Sequence, residues 1–191
     1  LAKSKQTLVQ IDNELNQRFP EYQLLTRPEP ISVAQVQALL KPQEAMVMFS
    51  VGADVSYGWV IKADRVAFYP LTISRKELAD KVTQVRNNMR FDSLQRGPRF
   101  DLMLLHDLYQ RLFGPMAADL AGVEELVLVP SGPLQSFAFA SLITSPPPAI
   151  KTDAHYRQLD RLVKHVALSV LPSANALRAL RELTKASHAK L

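Results

Sequence analysis

The chain has 191 residues, 47% of them hydrophobic and 21% charged, which is enough for one domain with a substantial core. It carries a net charge of +5 and no cysteine, and the missing cysteine excludes disulfides, thiolate metal sites and a cysteine nucleophile within the chain. Its apolar runs are too short and interrupted to span a bilayer, and no signal peptide is visible, so we expect a cytoplasmic protein.

Two helices are predicted before the first strand. Over residues 1–18, apolar side chains recur at helical spacing, at Leu8, Ile11 and Leu15. A Phe-Pro pair and a proline-rich connector follow, and we assign residues 1–30 to a helical linker. Ser32 is a candidate N-cap for a short helix over residues 33–40.

The middle of the chain predicts strands and then helices. Three runs of β-forming residues with short links predict antiparallel hairpins, at 45–51, 56–62 and 65–71. Ser74 is a candidate cap for the next helix, whose apolar positions are Leu78, Val82, Val85 and Met89. Residues 100–120 are a second helical stretch, which Gly114 and Pro115 break or kink.

The last third of the chain changes to a strand-helix rhythm that predicts an α/β fold. Residues 123–129 form a continuous apolar run, which is typical of a central parallel strand covered on both faces. The following elements are a short helix or turn over 136–142, a helix over 154–163, a second buried strand over 165–170, and a helix over 173–185 capped by Ser173. We expect the two strands to be parallel neighbours. Because such a pair is unstable alone, either the hairpins join its edge or further strands do.

Three segments of the chain resemble CHAT domains, the caspase-like domains that often accompany tetratricopeptide (TPR) arrays. The run LVLVPSGPLQSFAFASL, residues 126–142, is similar to the family's strand-and-turn signature. Residues 31–71 are similar to its entry region, and residues 166–180 to a strand that ends in Leu-Pro-Ser before a helix. The resemblance implies antiparallel hairpin strands joined to the start of a mainly parallel caspase-like sheet with flanking helices. Residues 31–191 are then the N-terminal part of the domain, and residues 1–30 a linker from a repeat array.

The resemblance also implies which chemistry this chain lacks. In the family, the catalytic histidine follows a later strand in a His-Gly segment, and the catalytic cysteine follows a further strand in an Ala-Cys-Glu-Thr-Gly-like segment. Neither segment occurs here. We therefore expect the non-catalytic half of a cysteine peptidase domain, with no catalytic residue, cofactor or metal ligand of its own. One wall of a substrate cleft is then expected at Ser131, Gly132, Pro133 and Gln135.

Other residues offer chemistry, and each also has a structural interpretation. Ser131 lies in a post-strand turn like a nucleophile elbow, but its Val-Pro-Ser-Gly context favours a turn serine. His106 and Asp107 are adjacent on a helix and therefore point to different faces, so they do not form a dyad. Three aromatic residues, Tyr57, Trp59 and Tyr69, could form a stacking face, although aromatics in a hairpin usually pack across strands.

Two further functions remain open. A catalytically inactive CHAT-like module would bind a partner protein or its own TPR array. A nucleic-acid-binding module ranks lowest, although residues 151–191 hold eight Lys/Arg against three Asp/Glu and residues 73–99 are also basic. No aromatic residue interleaves the basic ones from Arg75 to Arg90, and no nucleic-acid-binding motif appears. We expect protein or peptide partners, including the array or the other half of the domain, and no membrane. An open sheet edge near residues 165–170 would also favour self-association.

Overall fold

The computed structural model describes Ile11, Glu14 and residues 31–89, 100–148 and 153–188. The linker helix predicted over residues 1–18 lies outside these ranges, apart from Ile11 and Glu14, which are both helical. The chain divides into two compact units. One contains residues 40–172, and the other contains the chain up to Leu39 and from Ser173 onwards.

Residues 40–172 contain five strands and four α-helices among the residues that the structure describes. The strands are β1 (Glu44–Val51), β2 (Ser56–Lys62), β3 (Val66–Leu71), β4 (Glu125–Val129) and β5 (Ala167–Val170). The helices are α2 (Arg75–Met89), α3 (Leu102–Leu112), α4 (Ala117–Leu120) and α5 (Asp153–Gln158). Four short 3₁₀ turns complete the unit, at Gly114–Met116, Gly132–Ser136, Phe139–Ser141 and Leu162–Lys164.

The five strands form one mixed sheet in the order β3-β2-β1-β4-β5. Strands β1, β2 and β3 are antiparallel neighbours, whereas β4 runs parallel to both β1 and β5. The predicted α/β fold is confirmed, and so is the predicted parallel pairing of the strands near 123–129 and 165–170. Of the two ways to complete that pair, the hairpins join its edge through β1.

Strand β4 is central and covered on both faces, as its continuous apolar run predicts. Leu126 and Leu128 point to one face and belong to the main hydrophobic core, while Val127 and Val129 alternate to the other face and are also buried. The main core further contains apolar side chains of β1, α2 and α3, including Val47, Phe49, Leu78, Leu108 and Leu112.

Strand β5 differs from its prediction as a buried strand. Three of its four residues are exposed, and Val170 is 54% exposed. The physical reason is position, because β5 is at an edge of the sheet and has β4 as its neighbour on one side. An apolar sequence alone does not distinguish a central strand from an edge strand that leaves apolar groups in solvent.

Caps and breakers fix the helix ends close to where the sequence predicts them. In helix α1 (Val33–Leu39), the Gln35 amide donates to Ser32 Oγ at 3.3 Å, and the Ser32 amide donates to Gln35 Oε1 at 2.8 Å. Ser74 Oγ accepts from the Glu77 amide at 3.2 Å at the start of α2. Gly114 and Pro115 separate α3 from α4.

The second unit contains α1 and the C-terminal helix α6 (Ala174–His188) among its described residues, and these two helices contact each other. Val36 of α1 and Leu177 of α6 are buried. Ser173 Oγ accepts from the Ala176 amide at 3.3 Å, so the predicted cap of α6 is confirmed. Within the described ranges, no helix has the length and apolar content needed to cross a membrane.

Candidate functional site

The predicted cleft-wall residues form a single tight turn at the carboxyl end of β4. Gly132 has a φ of +54°, and it opens the 3₁₀ turn Gly132–Ser136. Pro133 occupies the first turn of this segment, where a missing amide hydrogen costs nothing. Leu134 points into the core, whereas Gln135 is exposed. The structure therefore brings Ser131, Gly132, Pro133 and Gln135 together.

Ser131 ties this turn to the neighbouring strand. Its Oγ accepts a hydrogen bond from the Val51 amide at 3.0 Å, at the carboxyl end of β1. Val51 is buried, so the serine satisfies a donor that would otherwise be costly. A nucleophilic serine would instead be paired with a general base. The contact agrees with the prediction of a structural turn serine.

A residue that sequence reasoning missed lies beside the turn. Arg75 begins α2, and its guanidinium donates to the Val51 carbonyl at 2.5 Å. Its amide donates to the Gly52 carbonyl at 3.0 Å, and its side chain lies next to Gly132. The carboxyl end of the sheet therefore carries an exposed arginine, which the sequence presented as one of many basic residues on a helix.

The β2–β3 hairpin carries an aromatic face, formed by Tyr57, Trp59 and Phe68. Tyr57 and Phe68 stack with ring centroids 5.3 Å apart, and Trp59 lies 5.2 Å from Phe68. Phe68 is 52% exposed. Tyr69 does not belong to this face, because Tyr69 pairs with Gly58 and points to the opposite side, where its hydroxyl contacts Asp119. We call Tyr57, Trp59 and Phe68 the aromatic patch.

A cavity of about 310 Å³ opens at the other end of the sheet, near the start of β4 and β5. Its walls come from α3 and α4, from the segment leading into β4, and from residues 144 and 160–166. The apolar lining includes Phe113, Leu126 and Leu162. Tyr109 also lines the cavity, and its ring stacks on Phe113 with centroids 5.9 Å apart. This site is not predicted by the sequence analysis.

An aspartate-histidine pair lies on the wall of this cavity. His165 Nε2 is 2.5 Å from Asp160 Oδ1, and the two side chains are 55% and 40% exposed, so the pair faces solvent. The Thr144 hydroxyl donates to the Asp160 carbonyl at 3.1 Å, which fixes the loop. Hydrogen bonding by Thr144, and then by His165, holds the pKa of Asp160 below its usual range.

The electrostatics of the cavity are dominated by that carboxylate. The pKa of Tyr109 is raised, first by desolvation and then by the negative charge of Asp160. Within the described part of the chain, no hydroxyl is hydrogen-bonded to His165, so the pair lacks the third member of a catalytic triad.

His106, which the sequence presents next to Asp107, has a structural role. His106 Nδ1 lies 3.0 Å from the Ile143 carbonyl and joins α3 to the segment after β4. Its neighbour Asp107 contacts Lys81 and Arg111 instead, which confirms that the two do not form a dyad. Among the described residues, no group of three or more acidic or histidine side chains is arranged to hold a metal ion.

Comparison with known proteins gives no assignment for this chain. No protein-family model matches the sequence. No curated protein matches it either.

Proposed function

We propose that this chain is the N-terminal, non-catalytic half of a CHAT-type, caspase-like cysteine peptidase domain of the cytoplasm. Its role there is to supply the sheet and one wall of a substrate cleft. The observation that supports the proposal most is the turn Gly132–Ser136 at the carboxyl end of the central strand β4, between two parallel neighbours. Ligands of open parallel sheets bind outside the carboxyl ends of the strands, so this turn is where a cleft would lie.

The chemistry of peptide hydrolysis explains which roles this chain has in the proposed domain and which roles later strands have. A cysteine peptidase needs a thiolate, a general base and donors for the oxyanion in one place. This chain has no cysteine, and its turn offers a serine whose oxygen already serves the Val51 amide. In the proposed domain, Ser131 shapes the cleft, Gln135 and Arg75 face the substrate side, and later strands provide the nucleophile and base.

The exposed edge of the sheet at strand β5 also supports this proposal. Strand β5 is the sheet edge on the parallel side, and Val170 is exposed there. An edge strand with exposed apolar groups is a ready partner for another strand. The strands that carry the family's histidine and cysteine segments would pair at this edge.

Peptide hydrolysis tests the proposal. The chain alone should not cleave a broad library of fluorogenic peptides, whereas a chain extended by the following coding sequence should, if that sequence supplies His-Gly and Ala-Cys segments. Substitution of the supplied cysteine should abolish turnover, and Ser131→Ala should not. Turnover by the chain alone that disappears in Ser131→Ala would overturn the proposal and favour a serine hydrolase.

A catalytically inactive protein-interaction module is the second candidate, and the aromatic patch favours it. Exposed clusters of large aromatic side chains are typical of protein-binding surfaces. Phe68 and Tyr57 are 52% and 36% exposed, although their rings stack on each other. Their partner would be a protein, such as a TPR array or a second copy of the chain.

Light scattering at increasing concentration separates the two candidates. Association that is weakened by Val170→Lys, but not by Phe68→Thr, indicates pairing at the β5 edge and supports the first. The reverse pattern supports the interaction module. Val163→Thr is a matched control, because Val163 is 48% exposed and belongs to neither surface. A monomer at all concentrations that binds no dye for apolar surface contradicts the open-edge prediction.

A further inference from the structure

The cavity at the amino end of β4 has the size and lining of a small-molecule site. Its volume of about 310 Å³ lies within the range of roughly 300–1,000 Å³ that is usual for ligand pockets. The stacked rings of Tyr109 and Phe113 form one wall, and Leu126 and Leu162 contribute aliphatic surface. An apolar body of about the size of one aromatic ring with a short chain would replace water in this space.

The described residues that line the cavity include one carboxylate and one histidine. Asp160 is the carboxylate of the lining, and the residues that line the cavity within the described ranges include no lysine or arginine. His165 also lines the cavity, and its Nε2 lies 2.5 Å from Asp160 Oδ1. Desolvation raises the pKa of Tyr109 on the aromatic wall, and the negative charge of Asp160 raises it further.

We propose that this cavity binds a small organic amine as its ammonium ion, with an apolar body inside and the charged nitrogen between the Asp160 carboxylate and the Tyr109 ring. A hydrogen bond from an ammonium group to a carboxylate is stronger than one between neutral groups. The face of an aromatic ring attracts the same cation further. An anionic ligand would be repelled by Asp160. The proposal is independent of the caspase-like assignment, because the cavity and the Gly132–Ser136 turn lie at opposite ends of β4.

Paired probes test the charge recognition in the full chain. By calorimetry, 2-phenylethylamine should bind at least about tenfold more tightly than 2-phenylethanol, which has the same shape without the charge. In Asp160→Asn, the amine should lose about tenfold in affinity while the alcohol changes less than about twofold. A lysine probe with blocked termini should bind more weakly than the aromatic amine, because it lacks the apolar body.

A second variant keeps the test independent of Asp160. Ala117 is exposed and lines the cavity, whereas its neighbour Ala118 is exposed and does not. Ala117→Trp should fill the opening and abolish binding of both probes, and Ala118→Trp should leave both affinities unchanged. The proposal is overturned if the alcohol binds as tightly as the amine, if Asp160→Asn binds the amine like the unaltered chain, if the lysine probe binds best, or if neither probe binds.

Discussion

The two ends of strand β4 are built in different ways. At the carboxyl end, consecutive residues form a closed turn, and Ser131 fastens it to β1 through the Val51 amide at 3.0 Å. At the amino end, segments from four parts of the chain surround an open cavity of about 310 Å³. The carboxyl-end turn is compact and is formed by residues that are consecutive in the sequence. The amino-end cavity is hollow, and its lining residues are far apart in the sequence. The hollow end also holds an aspartate-histidine pair, Asp160 and His165.

Under the two proposals made above, this contrast separates a supporting role at one end from ligand recognition at the other. The carboxyl-end turn satisfies its own hydrogen bonds and offers a shaped wall. The amino-end cavity holds a carboxylate beside an aromatic wall and offers a binding volume. The two proposed uses involve different residues, because the turn and the cavity lie at opposite ends of β4.

The largest effect that we predict distinguishes the two ends by packing. Leu128 and Leu126 are 0% and 2% exposed, but Leu126 borders the cavity and Leu128 does not. Leu128→Ala should lower the free energy of unfolding by about 3–5 kcal/mol, and Leu126→Ala by about 2–3 kcal/mol, because a leucine at a void has fewer contacts to lose. Urea unfolding followed by circular dichroism measures both values.

The edge strand provides the control for these truncations. Val170→Ala should change the free energy of unfolding by less than about 0.5 kcal/mol, because Val170 is 54% exposed. Equal losses for the two leucine variants would show that the cavity is packed in solution, and the contrast between the ends would then fail.

The carboxyl end was predictable because its signals are local. A continuous apolar run predicts β4, and the Pro-Ser-Gly-Pro sequence predicts a turn directly after it. The caps at Ser32, Ser74 and Ser173 are equally local, and all three make the hydrogen bonds that the sequence implies. The hairpin pairing of β1, β2 and β3 follows from short links.

The amino end was not predictable, because its residues are neighbours in space and not in sequence. Tyr109 and Asp160 are 51 positions apart, and neither belongs to a recognisable motif. The burial of β5 was mispredicted for a related reason, since sheet order decides whether an apolar strand has cover on both sides. The side of the sheet that Tyr69 faces also required the strand register.

A second prediction examines the backbone at each end with the same substitution. Gly132 and Gly122 have φ values of +54° and +74°, and an added Cβ would meet ordinary contacts at Gly132 and open space at Gly122. Each glycine-to-alanine change should cost about 1–2 kcal/mol, because the left-handed conformation is strained for alanine. Thermal unfolding should also show that Gly132→Asn costs less than Gly132→Ala, since asparagine tolerates this conformation. A Gly132→Ala variant as stable as the unaltered chain would argue against the turn geometry.

A third prediction concerns the hydrogen bond that fastens the carboxyl-end turn. Ser131→Ala should lower the free energy of unfolding by about 1–2 kcal/mol, because the buried Val51 amide loses its acceptor. Ser136→Ala is the matched control, since the Ser136 hydroxyl is exposed and bonds within the turn, to the Pro133 carbonyl at 3.3 Å. Hydrogen exchange of the Val51 amide should accelerate in the first variant and not in the second. If both variants behave alike, Ser131 does not hold the turn to β1.

The smallest effect separates the two ends by acid sensitivity. The pKa of Asp160 is lowered in the folded chain, so its interactions stabilise the fold above about pH 4 and are lost as the pH falls through the folded pKa. Asp160→Asn should therefore reduce stability at neutral pH by less than about 1 kcal/mol, because the Asp160 and His165 side chains are 40% and 55% exposed and well screened. The difference from the unaltered chain should shrink towards acid pH, where the carboxyl is protonated. Ser131→Ala removes a neutral hydroxyl instead, so its cost should stay constant from neutral to acid pH. Unfolding of the two variants at a series of pH values tests this prediction. If Asp160→Asn lowers the free energy of unfolding more at acid pH than at neutral pH, the pKa of Asp160 is not lowered in the folded chain.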